Sequence, residues 1–139
     1  MSLFMKLKGL KFTKFTTSNL DLKYFKLSEF DSPDEPGSGN KMDKSFLEKL
    51  DYARHNAGIK FSINSGYRST DWNLHVKGKL SSSHCKGLAA DIHCNNSRDR
   101  ALIIKSLLEV GVTRLGIADT YIHCDVDKSK EQDVFWLYK

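Results

Sequence analysis

The strongest constraint on this chain is where its extended-type segments fall. Leu88 to His93, Arg114 to Ile117, Tyr121 to Val126 and Val134 to Tyr138 are short, rich in apolar residues and separated by turn residues, and all lie in the second half. Strands clustered this way, instead of alternating regularly with helices, predict an α+β fold in which helices pack on an antiparallel sheet. No internal repeat appears, and 139 residues suffice for one core, so residues 1–139 are read as one domain.

The first half supplies the helices. Asp43 can cap a helix running to about Asn56, with Phe46, Leu47, Leu50 and Ala53 at helical spacing and Gly58 as its stop. Ile59, Phe61 and Ile63 alternate with polar residues, which predicts a strand ending at Ser65-Gly66. Thr70 opens a short helix through Trp72, Leu74 and Val76, and residues 77–83 read as a polar loop. Ser97 is the expected cap of a later helix whose Leu102, Ile103, Leu107 and Leu108 face the core before Gly111 ends it. Between residues 31 and 40 two prolines and two glycines forbid regular structure, so residues 1–42 are expected to be a basic segment and a loop wrapping the core. Asp31 and Asp34 there are read as turn-making acids in preference to a cation site.

Charge and composition narrow the partner classes. The net charge is +5, and Lys6, Lys8, Lys11, Lys14, Lys23 and Lys26 crowd the first 26 residues. That suits an anionic partner such as cell-wall polymer, or simply a solvated basic face. Nucleic acid is not expected, since no helix-turn-helix or aromatic platform accompanies the lysines. No run approaches the roughly 20 apolar residues of a membrane helix, and the start alternates lysines with apolar residues instead of building a signal-peptide core. Synthesis in the cytoplasm without a signal peptide, and a monomeric state, are the expectations. Cys85, Cys94 and Cys124 cannot all pair and lack CxxC spacing, which points to reduced thiols.

The chemistry concentrates in residues 82–93, Ser-Ser-His-Cys-Lys-Gly-Leu-Ala-Ala-Asp-Ile-His, and in Tyr121-Ile-His-Cys-Asp125. His84, Asp91 and His123 supply a mononuclear zinc set, because catalytic zinc takes three N or O ligands and keeps a fourth position for water. Strand alternation puts Asp91 and His93 on one face with Ala89, and Tyr121, His123 and Asp125 on one face, leaving Cys124 as a small core hydrophobe. Gly87 lets the backbone turn so that His84 folds back toward Asp91, and Ala89 and Ala90 are expected to leave room around the ion. The alternative on these residues alone is a set of polar groups scattered over a sheet face. His93 is weighed as a further ligand or as a surface histidine, and His55 and His75 carry no assigned role. Tyr67, Tyr121 and Trp136 are candidates for the cleft wall, though single aromatics more often belong to a core.

Taken together, Ser82-x-His84-x-x-Gly87-x-Ala89-x-Asp91-Ile92, the later His123-x-Asp125 and the upstream Ser65-Gly66-Tyr67-Arg68-Ser69 resemble the zinc peptidases of the M15 family. The resemblance spans roughly residues 24 to 138, and the segment from Phe25 to Asp34 is similar to the leader of short versions encoded by small bacteriophages. It implies a hedgehog/D-Ala-D-Ala-peptidase-like fold and one Zn2+ on His84, Asp91 and His123. The implied activity is D-alanyl-D-alanine carboxypeptidase or endopeptidase action on peptidoglycan peptides, in cell-wall degradation. Arg68 maps onto the arginine that holds the substrate, where a guanidinium fork suits a planar carboxylate, and Tyr67 and Ser82 fall beside it as substrate-binding candidates. The family's usual general base, an acid three residues before the last ligand, is Thr120 here. Asp125 and Asp119 are therefore the candidate bases, with Asp125 alternatively a carboxylate orienting a ligand histidine. A zinc-containing module of the same fold without hydrolysis is the competing reading.

Overall fold

In the computed structural model, which describes residues 20–139, Asp43 caps helix α1 (Lys44–Ala57) by accepting the Phe46 amide at 2.9 Å. Gly58 ends α1 with φ 69°, a left-handed conformation in which a side chain is strained. Phe46, Leu47, Leu50 and Ala53 are fully buried along one face of it. Helix α2 (Thr70–His75) begins at Thr70 as expected, capped by Ser69, whose hydroxyl accepts the Trp72 amide. Helix α3 (Ser97–Glu109) is capped by Asn96 and not by Ser97: the Asn96 side chain accepts the Asp99 amide at 2.8 Å. Ile103 and Leu107, one turn apart, are buried, whereas Leu108 lies about 100° further round the helix and is exposed.

Among the described residues five strands form one sheet in the order β1-β2-β4-β3-β5, with β1 Ile63–Ser65, β2 Ala89–His93, β3 Arg114–Ile117, β4 Tyr121–Asp125 and β5 Val134–Leu137. The class is α+β as expected, but the sheet is mixed, since β5 runs parallel to β3. After β4 the chain reverses and steps past β3 to the sheet edge, a non-local choice that no local pattern encodes. The first strand is also shorter than the alternation of Ile59, Phe61 and Ile63 predicts. Phe61 is fully buried outside the ladder, and pairing with β2 is irregular between Ile63 and Ser65.

One sheet face carries Ala90, Ile92, Leu115, Ile122 and Cys124 into a core shared with α1 and α3. Cys124 is wholly buried there, as a small hydrophobe would be, and Ala90 points the same way, so it leaves no room around the site as had been expected of it. Residues 20–42 do more than wrap the surface: Phe25 and Phe30 are buried with ring centroids 5.3 Å apart. A 3-10 turn, Ser38–Lys41, interrupts the stretch expected to lack regular structure. Asp31 accepts the Gly37 and Gly39 amides and Asp34 accepts the Ser32 and Ser69 hydroxyls, which is the turn-making role. Lys6, Lys8, Lys11 and Lys14 lie outside the described residues. Among the described residues no helix is long and apolar enough to cross a membrane.

Candidate active site

The second sheet face presents a transverse row. Ser65 pairs with Asp91, Asp91 with His123, His123 with Gly116, and Gly116 with Trp136, across all five strands. Residues paired in register point to the same face, so Asp91 and His123 meet directly. Their side-chain atoms His123 Nδ1 and Asp91 Oδ1 are 2.9 Å apart.

His84 reaches this row from a 3-10 turn, Ser83–Lys86. Three restraints hold the turn. Ser82 Oγ accepts the His84 amide at 3.2 Å, and Ser83 Oγ donates to the buried Asp127 carboxylate at 2.7 Å. Gly87 adopts φ 71°, with its α-carbon so close to the chain that a Cβ would lie 2.3 Å from the Lys41 carbonyl oxygen. His84 Nδ1 donates to the Gly66 carbonyl at 2.8 Å, since a carbonyl only accepts, and this leaves Nε2 bare, 3.3 Å from Asp91 Oδ1.

These groups fit a zinc ion. One donor atom from each of His84, Asp91 and His123 lies within 4.8 Å of the others, and all three side chains are buried. Donors about 2.0–2.1 Å from a tetrahedral zinc sit about 3.3 Å apart, close to the observed spacings. Burial opposes the Asp91 charge, yet the hydrogen bond from His123 leads the groups that outweigh it and hold the carboxyl well below the usual range. Burial likewise lowers the His123 pKa, but Asp125 and Asp91, at 2.8 and 2.9 Å on its two nitrogens, raise it overall. A proton on Nδ1 and a metal at Nδ1 are alternatives for the same lone pair. In either case Nε2–H donates to Asp125, the outer carboxylate that metal-binding histidines commonly have.

Asp125 is itself fixed. Arg114 Nε donates to its Oδ1 at 2.8 Å and the Asp127 amide to the same oxygen at 3.1 Å. Burial pushes the Asp125 pKa up, but the His123 hydrogen bond leads the groups that bring it below the ordinary value. A carboxylate so committed suits the orienting role better than that of a free base. Asp119, the other candidate base, is exposed in the β3–β4 turn, outside the cleft lining, where its carbonyl accepts from Arg100.

A cleft of about 750 Å³ opens over the three donors. Arg68 and Ser82 line it, as do Tyr121 and Trp136. Tyr67 does not: it is half-buried against the core, with Lys41 5.3 Å above its ring. His93 is exposed at the end of β2 and joins no donor group among the described residues, His55 Nδ1 meets the Tyr24 hydroxyl, and the His75 ring packs on Trp72. The Arg68 guanidinium is braced by Ser65 Oγ at 3.0 Å and Asn73 Oδ1 at 3.3 Å, and lies 3.5 Å from Asp91.

Sequence reasoning missed Arg114 and Asn73. Arg114 pairs in register with Asp125, donates to the Glu131 carbonyl, and stacks 5.1 Å from the centre of the Trp136 ring. Its only sequence signal is its place at the start of β3, which has meaning once the register with β4 is known. Asn73 is buried within α2, where nothing local sets it apart from a solvated polar residue.

A family model described as Peptidase M15 matches residues 14–125, a span that contains His84, Asp91 and His123 and stops before β5. No curated protein matches the chain.

Proposed function

This chain belongs to the Peptidase M15 family, and from that premise we propose that it is a zinc-dependent peptidase acting on peptidoglycan stem peptides or their cross-links. The observation that carries the reading is the convergence of His84 Nε2, Asp91 Oδ1 and His123 Nδ1 on the floor of a cleft that also holds a braced arginine. When bound, zinc supplies a Lewis acid for the scissile carbonyl and lowers the pKa of its water toward about 7.

The residues of the chain do the rest. Asp91 brings the one negative charge of the ligand set, and the two histidines bring neutral nitrogens. The Gly66 carbonyl fixes the tautomer of His84, and Asp125 fixes that of His123. Asp125 thus acts through His123 and is a positioning residue, with Arg114 holding its other oxygen in place at 2.8 Å. Arg68 offers a planar fork to a carboxylate of the peptide, in the bidentate geometry that lysine lacks. Tyr121 and Trp136 give the peptide an amphipathic wall. We place this action at the bacterial cell wall, for its degradation, with the protein made in the cytoplasm and working as a monomer.

A second reading is a zinc-containing wall-binding module that does not cut. One observation favours it: both carboxylates that line the cleft among the described residues, Asp91 and Asp125, are already bonded to histidine. The deciding experiment incubates purified peptidoglycan fragments with the zinc-loaded protein and with an Arg68→Ala variant, and identifies products by mass spectrometry. A defined peptide cut that is weakened in the variant supports the peptidase; binding of the fragments with no product favours the module.

A further inference from the structure

Among the described residues five cationic side chains, Arg68, Lys77, Lys79, Arg114 and Lys130, line the cleft against two carboxylates. Three of the five already have protein partners. Arg114 is paired with Asp125, Lys130 donates to Ser83 Oγ at 2.9 Å and lies 3.9 Å from Asp127, and Arg68 is braced by Ser65 and Asn73 beside Asp91. Lys77 and Lys79 are exposed, and no carboxylate among the described residues lies within ion-pair distance of either. Two unneutralised ammonium groups on one cleft wall raise the local concentration of anions.

The loop that carries them is built, with a defined backbone. Lys77 holds φ 60°, a left-handed conformation that strains a residue with a side chain. Gly78 follows it with no space for a side chain, since a Cβ would lie 2.0 Å from Asn73 Oδ1 and 3.2 Å from Arg68 Nη1. Its amide donates to the Asn73 carbonyl at 2.8 Å. The Asn73 side chain, only 2% exposed as a residue, donates from Nδ2 to the Lys79 carbonyl at 2.8 Å and accepts from Arg68 Nη1. One buried amide therefore sets the loop and the substrate arginine relative to each other.

We propose that residues 77–79 form a second anion subsite, so that the cleft selects peptides bearing another carboxylate besides the one taken by Arg68. The proposal rests on the peptidase reading and names its substrate class: dicarboxylate peptides over their mono-amidated counterparts. The contacts are exposed ion pairs, so selectivity is of the order of ten-fold at low salt and falls as salt screens it.

The test uses two stem peptides identical except that the second carboxylate is free in one and a carboxamide in the other. Binding is measured by calorimetry and cleavage by mass spectrometry for the zinc-loaded wild type, the double variant Lys77→Gln/Lys79→Gln, and Lys105→Gln on the exposed face of α3 as control. The subsite predicts about ten-fold tighter binding of the free acid by the wild type and the control, and a ratio near one in the double variant. A ratio near one in the wild type, or a ten-fold ratio kept by the double variant, overturns it. Cutting without acid preference removes the subsite and leaves the peptidase, acid preference without cutting removes the peptidase and leaves the subsite, and a protein that neither binds nor cuts either peptide overturns both.

Discussion

Gly87 and Gly58 offer a matched pair for asking what positions His84. Both adopt left-handed backbone, at φ 71° and φ 69°, so replacing either with alanine carries a similar conformational cost of about 1–2 kcal/mol. Their surroundings differ. A Cβ at Gly58 meets nothing within 4 Å, whereas one at Gly87 lies 2.3 Å from the Lys41 carbonyl oxygen and 3.1 Å from both the Lys41 carbonyl carbon and Met42 Cα. All three atoms are backbone and cannot rotate away. The Gly87 carbonyl also accepts the Asp43 amide at 2.9 Å, tying this approach to the start of α1. Restoring ordinary contact moves two backbone segments apart by roughly 1 Å, an overpacking cost of about 1–3 kcal/mol beyond the φ penalty. Gly87→Ala is therefore expected to unfold about 4–12 °C below Gly58→Ala, taking about 4 °C per kcal/mol for a chain of this size. Thermal and urea unfolding followed by circular dichroism measure the difference. Zinc affinity should fall in Gly87→Ala alone, because His84 sits on the turn that moves. Equal stability and equal zinc affinity of the two variants would refute the reasoning.

Four further outcomes follow from the same geometry. Asp125→Asn removes the anionic partner of His123 Nε2 and should weaken zinc binding about 10- to 100-fold in a chelator competition, with unchanged affinity as the contrary result. Asp127→Ala strands the Ser83 hydroxyl, the Lys86 ammonium and the Ser129 amide, and should cost about 2–3 kcal/mol in urea unfolding; a loss under about 0.5 kcal/mol contradicts it. Gly116→Ala places a Cβ 2.6 Å from the Trp136 and Tyr138 rings, so tryptophan fluorescence should shift as that wall lifts, and an unchanged spectrum would count against the packing. The metal-free protein has a pH window. Asp91, Asp125 and Asp127 have lowered pKa values, so their stabilisation is present above about 3.9 and lost as pH falls through the folded values, while that of His123, raised, is present below about 6.5 and lost as pH rises through its folded value. Maximum stability between about pH 4 and 6.5 is expected in thermal scans, and a maximum above pH 8 would contradict it.

Much of this arrangement is legible in the sequence, and the boundary is physical. Helix α1 announces both ends through Asp43 and Gly58 because caps and stops are local backbone chemistry. The alternation in β2 and β4 sorts Ile92, Ile122 and Cys124 inward from Asp91, His123 and Asp125, because the strand period is local too. Register is not local. That Asp91 lies opposite His123, and Arg114 opposite Asp125, depends on how separate strands slide past one another. The parallel placement of β5, which brings Trp136 over Gly116, is of the same kind. Asn73 carries no local signal because its work is done through one buried amide that joins α2, the lysine loop and Arg68, a junction that exists only in the folded chain.

The most direct test of the central claim is zinc stoichiometry by equilibrium dialysis, on the wild type beside Asp91→Asn and His123→Ala, each first shown to be folded. The account predicts one zinc per wild-type chain and loss of tight binding in both variants, since each removes one of three donors at a single centre. A wild type that takes up no zinc, or folded variants that keep one full equivalent at undiminished affinity, would contradict it.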